Sequence, residues 1–157
     1  MVAYLLVERH RAASAALDAK TLEALGRGND NWLTVDTFGC SLAGRAWQQR
    51  QISDAVVMRW ARSKDRWWRR TALVSTVPLN QKSRGGSGDS ARTLPVCAHL
   101  AADCDEMVVK AESWALRELS DFDAAAVRAF LGEHEGTLHP RVLREVRRKL
   151  TTGKKNR

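Results

Sequence analysis

An aromatic residue and a carboxylate stand four positions apart near the start of the chain, in the stretch from Asp30 to Gly44. Asp30 or Asn31 can cap a helix there, which places Trp32 and Asp36 on one helix face. An indole face attracts cations, and a carboxylate can stabilise an oxocarbenium-like transition state or orient a water molecule, as in sugar hydrolysis. The pair is therefore a candidate site, and the alternative is that the two residues only pack.

The elements that must position this pair are predicted to be helices. Cap residues, helix-compatible apolar spacing and Gly or Pro stops recur along the chain, and no alternating strand pattern competes with them. The segment 80–92 contains Gly-Gly-Ser-Gly and is predicted to be a flexible loop, and Pro95 is placed in the first turn of the next helix. The predicted helices span residues 2–14, 18–25, 30–44, 53–62, 65–77, 93–102, 105–119, 123–134 and 140–150.

Three of these helices resemble one another. Those capped at Asp30, Asp65 and Asp105 begin 35 and 40 residues apart, and a second helix follows each of them. This period and the paired-helix unit are typical of HEAT-type repeats, which stack into a curved α-solenoid. We therefore expect an all-α fold with a single solenoid domain. Its expected parts are a partial N-terminal repeat over 1–28, HEAT-like repeats over 29–150 and a basic tail over 151–157.

Alignment of the three helices on these caps makes Asp36 unusual. The equivalent positions carry Thr71 and Ala111, both small and uncharged. Because burying an unpaired carboxylate costs several kcal/mol, Asp36 must be paired, hydrated or functional. Arg70 and Lys110, one position earlier in the adjacent copies, are its expected partners. A functional carboxylate and a structural ion pair both remain open at this point.

The charge of the chain is concentrated in two segments. The formal net charge is +8; residues 141–157 hold eight Lys/Arg and one Glu, and residues 59–70 hold six Lys/Arg and one Asp. Clustered positive charge favours a polyanion, usually nucleic acid, although a solvated helix face and a frayed tail would give the same pattern. Together with the carboxylate and the indole, it is suited to hydrolysis of an N-glycosidic bond to a cationic base in DNA.

Several other classes of protein are excluded by what the sequence lacks. No apolar run approaches the about 20 residues of a membrane span, and no glycine-rich phosphate loop joins a strand to a helix. No His, Cys, Asp or Glu cluster has metal-ligand spacing. Cys40, Cys97 and Cys104 are odd in number and are predicted to be free thiols in a reducing cytoplasm.

Three separated motifs resemble the AlkD-like DNA alkylation repair family, whose members are HEAT-like-repeat DNA glycosylases. They are Asn-Trp-Leu-Thr-Val-Asp at 31–36, Trp-Trp-Arg-Arg-Thr-Ala at 67–72 and Lys-Ala-Glu-Ser-Trp-Ala-Leu-Arg-Glu at 110–118. The resemblance covers residues from about 29 to 149, in the same order. It implies removal of cationic N3- and N7-alkylated purines, the 3-methyladenine and 7-methylguanine class, from double-stranded DNA without a cofactor or metal.

The resemblance also implies a role for individual residues. Asp36 matches the catalytic carboxylate, which would stabilise the sugar cation and position water. The aromatic residues that flank the lesion nucleotide match Trp32 and Trp114. The expected contacts to the DNA backbone are Arg70, Arg117, Arg69 and Lys110.

The chain departs from the family because barely one helix pair precedes the Asn-Trp motif. We therefore expect an apolar edge at residues 1–14, self-association through that edge, and an effect on activity. The alternatives to a glycosylase are a non-catalytic DNA-binding protein on the same scaffold and a HEAT-type protein-interaction module. The expected location is the cytoplasm of a bacterial-type cell, in association with the nucleoid.

Overall fold

The computed structural model describes residues 2–154, and within this range all regular secondary structure is helical. The expected all-α fold is therefore confirmed. The α-helices are α1 (Val2–Arg9), α2 (Arg11–Ala15), α3 (Ala19–Gly26), α4 (Trp32–Phe38), α5 (Gly44–Gln48), α6 (Asp54–Ala61), α7 (Arg66–Val74), α8 (Ser90–Leu100), α9 (Glu106–Ser120), α10 (Ala124–Glu133) and α11 (Pro140–Thr152). A π-helix (Gly39–Ala43) joins α4 to α5, and 3-10 turns occupy Val77–Asn80 and Lys82–Arg84.

The helices pack in two layers. Helices α4, α7, α9 and α11 lie side by side in that order, while α6 packs on α7, and α8 and α10 pack on α9. Helices from the two layers alternate along the chain from α6 to α11, which is the arrangement of a helical-repeat protein. Apolar side chains such as Leu73, Leu116 and Val146 fill the space between the elements. The layer from α4 to α11 carries the residues that the sequence singled out.

Helix α4 begins at the expected place but the helical segment ends later than predicted. The Asn31 side chain accepts a hydrogen bond from the Thr34 N–H at 3.1 Å, so Asn31 is the cap. Gly44 does not end the segment, which continues through the π-helix to Gln48. A Cβ on Gly44 would lie 2.7 Å from the Ser75 carbonyl oxygen, so this glycine permits close packing rather than termination.

Two further predicted boundaries are wrong. The first predicted helix breaks at His10, whose Nδ1 accepts a hydrogen bond from the Ala13 N–H and caps a separate α2. Helix α8 starts at Ser90 because Asp89 caps it, so Pro95 lies in the helix interior and not in the first turn. A proline there leaves the Ala91 carbonyl without its usual donor.

The segment 80–92 is held in place more firmly than its glycines suggested. The Gly88 N–H donates to the Leu79 carbonyl at 3.1 Å, and the Asp89 N–H donates to Asn80 Oδ1 at 2.8 Å. Asn80 is buried and also donates to the Thr93 hydroxyl at 2.8 Å. These bonds fix the turn that leads into α8, so the predicted flexible loop is a structured connection.

Across residues 2–154, none of the helices is long and apolar enough to cross a membrane. Val2 and Leu6 are exposed on α1, so the apolar edge expected there is present. The cysteines are free thiols, as predicted: Cys40 and Cys97 are buried and Cys104 is exposed.

The observed caps change the register of the repeat comparison. With Asn31 rather than Asp30 as the first cap, Asp36, Arg70 and Lys110 all stand five residues after their caps. The alignment of Asp36 with Thr71 and Ala111 is therefore wrong by one position. Asp36 belongs to a charged position of the repeat, so its charge alone does not set it apart.

In the corrected register the unusual carboxylate is Glu112. It stands seven residues after its cap, where the other two helices place the buried Phe38 and Ala72. Glu112 is fully buried, and neither carboxylate oxygen has a hydrogen-bond partner within the described residues. Burial, together with the nearby charge of Asp103, raises the pKa of Glu112 to about 8.

This raised pKa predicts that Glu112 makes the protein less stable as the pH rises. The folded protein retains a proton on Glu112 that the unfolded chain has lost. The stabilising contribution of this proton is fully present below pH 4.5 and disappears by about pH 8. Between these values the free energy of unfolding should fall on the order of 1 kcal/mol per pH unit because of this group. Glu112→Gln should flatten the profile measured by denaturant unfolding. Identical slopes for the variant and wild type between pH 5 and 8 would contradict the assignment.

Candidate nucleic-acid interface

A cleft of about 400 Å³ opens on the layer formed by α4, α7, α9 and α11. Each of the four helices contributes at least one charged side chain to it. The lining residues are Asp36 from α4, Arg70 from α7, Lys110, Trp114 and Arg117 from α9, and Arg141 and Glu145 from α11. Four cations and two carboxylates face the same space, so the cleft is electropositive while keeping acceptor groups at fixed positions.

Asp36 and Arg70 form a two-bond ion pair between α4 and α7. Arg70 Nε donates to Asp36 Oδ1 at 2.8 Å, and Arg70 Nη2 donates to Oδ2 at 2.7 Å. Arg70 is only 5% exposed, and its remaining Nη1 donates to the Met107 carbonyl of α9. The predicted partnership of these two residues is confirmed. One guanidinium thus connects α4, α7 and α9 and holds the carboxylate in a single orientation.

Lys110 was the second expected partner of Asp36, and this expectation is wrong. Its Nζ lies 2.6 Å from Glu106 Oε1, one turn earlier on α9. The reason is local, because an i,i+4 partner on the same helix is available and Arg70 already occupies both Asp36 oxygens. Lys110 nevertheless lines the cleft.

A second cluster lies at the α11 wall of the cleft, around Glu145. Ser113 Oγ and Arg117 Nη1 donate to Glu145 Oε2 at 2.6 and 2.9 Å, and Arg141 Nε donates to Oε1 at 2.7 Å. Burial alone would raise the pKa of Glu145, but the hydrogen bonds from Ser113 and Arg141 and the two positive charges outweigh it and lower the pKa. Burial is also the main reason why the pKa of Arg117 is lowered.

Sequence reasoning missed Arg141 and Glu145 as lining residues. Both fall in the basic C-terminal segment, which the charge count treated as a possible tail or solvated face. The signal that could have found them is the i,i+4 arginine–glutamate pair inside an otherwise basic helix, since a lone carboxylate there needs a structural reason.

The two aromatic residues occupy different positions. Trp114 is half-buried against the core, lines the cleft and donates its Nε1–H to Glu118 at 2.9 Å. Trp32 is the first residue of α4 and is 55% exposed, one helical turn before Asp36. It is not among the lining residues. The cleft therefore has one aromatic wall, and Trp32 is an exposed indole on the helix that carries Asp36.

Arg69 was grouped with the backbone contacts, but the structure gives its guanidinium other partners. Its Nε donates to Asp103 at 2.6 Å, and its Nη1 donates to the carbonyls of Ser63 and Lys64 at 3.1 and 2.8 Å. These bonds fix the start of α7 against the α8–α9 connection, away from the cleft lining. A contact of Arg69 with DNA stays a prediction.

The cleft offers no evident metal site. Over residues 2–154, there is no group of three or more His, Cys, Asp or Glu side chains placed to hold a metal ion. The two lining carboxylates are instead engaged by arginines.

The sequence matches a family model described as DNA alkylation repair enzyme over residues 1–150, a range that contains every lining residue of the cleft. The chain belongs to the DNA alkylation repair enzyme family. No curated protein and no solved structure matched it. Membership in this family indicates a role in DNA repair, with DNA as the partner. The positive charge of the cleft suits a polyanion.

The geometry predicts that Arg70→Lys destabilises the fold. A lysine cannot donate to both Asp36 oxygens and to the Met107 carbonyl at once, which leaves buried acceptors unsatisfied. The free energy of unfolding, measured by denaturant titration, should fall by about 2–3 kcal/mol. Arg66→Lys on the same helix is the matched control, because Arg66 is exposed and lies 3.4 Å from Asp105. That control should change stability by less than about 0.5 kcal/mol. Equal effects of the two variants would contradict this role of Arg70.

Proposed function

We propose that this protein is a DNA glycosylase that hydrolyses the N-glycosidic bond of cationic alkylated purines, of the 3-methyladenine and 7-methylguanine class, in duplex DNA. The observation that carries the proposal is the Asp36 carboxylate, fixed through both oxygens by a buried arginine at the edge of an electropositive cleft. Such a group is already oriented for a developing positive charge on the deoxyribose, so no reorganisation is needed during reaction.

The cationic side chains of the cleft have a separate task, which is to hold the DNA backbone. Lys110, Arg117 and Arg141 line the same space as Asp36 and can contact phosphates on either side of the lesion nucleotide. Their charges come from α9 and α11, whereas the carboxylate comes from α4, so the backbone would lie across the layer. Trp114 presents an indole within this space, where it can pack against a nucleotide.

The chemistry follows from the charges. When the C1′–N bond breaks, its electron pair passes to the alkylated purine, which loses its positive charge and leaves as a neutral base. The sugar becomes an oxocarbenium-like species beside the negative Asp36. Water then adds to C1′ and releases a proton to solvent. Asp36 contributes electrostatic stabilisation and orients the water, and Arg70 keeps it in place.

The second lining carboxylate supports the choice of a cationic base as substrate. A general acid that protonates a neutral leaving base needs a pKa near the working pH. The pKa of Glu145 is lowered by Ser113, Arg141 and Arg117, so Glu145 is a poor proton donor near neutral pH. A base that already carries a positive charge needs no such donor.

The proposal predicts that Asp36→Asn greatly slows base release while duplex binding persists. Replacement of the carboxylate removes the negative charge beside the sugar, which should slow release by at least about a hundredfold. The measurement is single-turnover release of 7-methylguanine from methylated duplex. Asp103→Asn is the matched control, because Asp103 also pairs with an arginine of α7 but lies outside the cleft lining. Release by Asp36→Asn at the wild-type rate would contradict the catalytic role.

A second candidate function is DNA binding without base excision. It is favoured by the fact that both Asp36 oxygens are already occupied by Arg70, as in a purely structural ion pair. On this alternative the wild-type protein binds duplex with a steep salt dependence but releases no base. Measurement of both properties on the same preparation separates the two candidates.

Trp32 provides an independent prediction, because it is exposed and its loss should not affect folding. If its indole packs against the lesion nucleotide, Trp32→Ala should weaken binding of a lesion duplex by about tenfold, the scale of one aromatic–base contact. The adjacent Leu33 is a suitable control, since the two are 55% and 45% exposed. Equal binding by Trp32→Ala, Leu33→Ala and wild type would contradict the assignment, provided that their unfolding midpoints agree.

A further inference from the structure

The α11 wall of the cleft continues beyond it as a row of arginines. Arg141 lines the cleft, and Arg144 and Arg148 follow it by three and seven residues on the same helix. Residues with this spacing share one face of an α-helix. Val142 and Val146, which are fully buried, mark the opposite side that packs on the rest of the protein.

The charges on α11 are neutralised unevenly. Arg147 lies 2.5 Å from Glu135, and Lys149 lies 2.7 Å from Asp121, so these two cations are paired with neighbouring segments. Arg144 and Arg148 are exposed, and among residues 2–154 no carboxylate lies within salt-bridge distance of either. Unpaired positive charge on this helix therefore concentrates on the face that is continuous with the cleft.

We propose that Arg144 and Arg148 bind backbone phosphates of the duplex arm beside the lesion, so that α11 extends the DNA-binding surface past the cleft. The inference rests on the proposed function in that a duplex occupies the cleft. At 1.5 Å per residue, the seven residues from Arg141 to Arg148 span about 10 Å of helix. Because α11 lies at one edge of the layer and the backbone lies across the layer, the extended surface contacts only the duplex arm on that side.

The experiment is the salt dependence of binding to an undamaged duplex, measured for wild type and for Arg144→Gln/Arg148→Gln. Loss of two phosphate contacts should reduce the slope of log K against log salt by about 1.8. Arg128→Gln is the matched control, because Arg128 is exposed on α10, lies outside the cleft lining and has no carboxylate within salt-bridge distance among residues 2–154. Its slope should equal that of wild type. An unchanged slope in the double variant, or an equal decrease in Arg128→Gln, would overturn the inference.

A second measurement locates the contact on the DNA. A duplex that ends about one base pair beyond the lesion on one side should bind wild type more weakly than the full-length duplex. The double variant should be insensitive to that truncation and remain sensitive to truncation of the other arm. Equal sensitivity of the double variant and wild type on both sides would overturn the inference.

Failure of this inference can be told apart from failure of the proposed function. If wild type releases alkylated base and the double variant keeps the wild-type slope, only the α11 surface is overturned. If the double variant shows the reduced slope and wild type releases no base, the surface stands and the glycosylase assignment fails.

Discussion

The pairing of Asp36 with Arg70 is the interaction on which the cleft depends. It joins α4 to α7, and through the Met107 carbonyl it also reaches α9. A buried guanidinium without its carboxylate would be costly, and so would the carboxylate without its guanidinium. The two charges therefore require each other, and the result is an acceptor held in one orientation at the surface of an electropositive space. The stability of the fold and the proposed chemistry therefore depend on the same ion pair.

The cluster around Glu145 repeats this arrangement of a carboxylate held by arginine on the other side of the cleft. Glu145 is held by Ser113, Arg117 and Arg141, with donors from both α9 and α11. The two carboxylates differ in the groups that they present to the cleft. Asp36 faces the cleft from the helix that also carries Trp32, whereas Glu145 orients two arginines that can contact phosphates. One carboxylate is suited to stabilising a sugar cation, and the other is suited to positioning cations.

Helical caps and periodicity predicted most of the fold, because those signals are local. The caps at Asp18, Asp65, Asp105 and Asp123 are confirmed by their bonds to backbone N–H groups. The errors arose where a residue typical of a helix end or a loop instead serves a contact between distant parts of the chain. Gly44 resembled a helix end but permits contact with the Ser75 carbonyl, which no single-sequence pattern reveals.

The candidate site was also predicted only in part, since local patterns identified some of its residues and tertiary contacts determine the others. Asp36 and Arg70 could be paired from sequence because both occur near helix starts in neighbouring repeats. Their register was one residue off, since Asp30 and Asn31 are equally good caps on sequence alone. That single residue made Asp36 seem anomalous and hid Glu112, the carboxylate that stands at a core position. Arg141 and Glu145 were missed as lining residues because Glu145 also accepts hydrogen bonds from Ser113 and Arg117 of α9, contacts that only the folded structure reveals.

The central claim is that the cleft acts on the sugar of a base that already carries a positive charge, without a general acid. The most direct measurement compares single-turnover release of 7-methylguanine and of the neutral purine hypoxanthine from otherwise identical duplexes by the wild-type protein. We expect accelerated release of 7-methylguanine and no acceleration for hypoxanthine, because Glu145 is held by arginines and its pKa is lowered. Comparable acceleration for both bases, or for neither, would contradict this expectation.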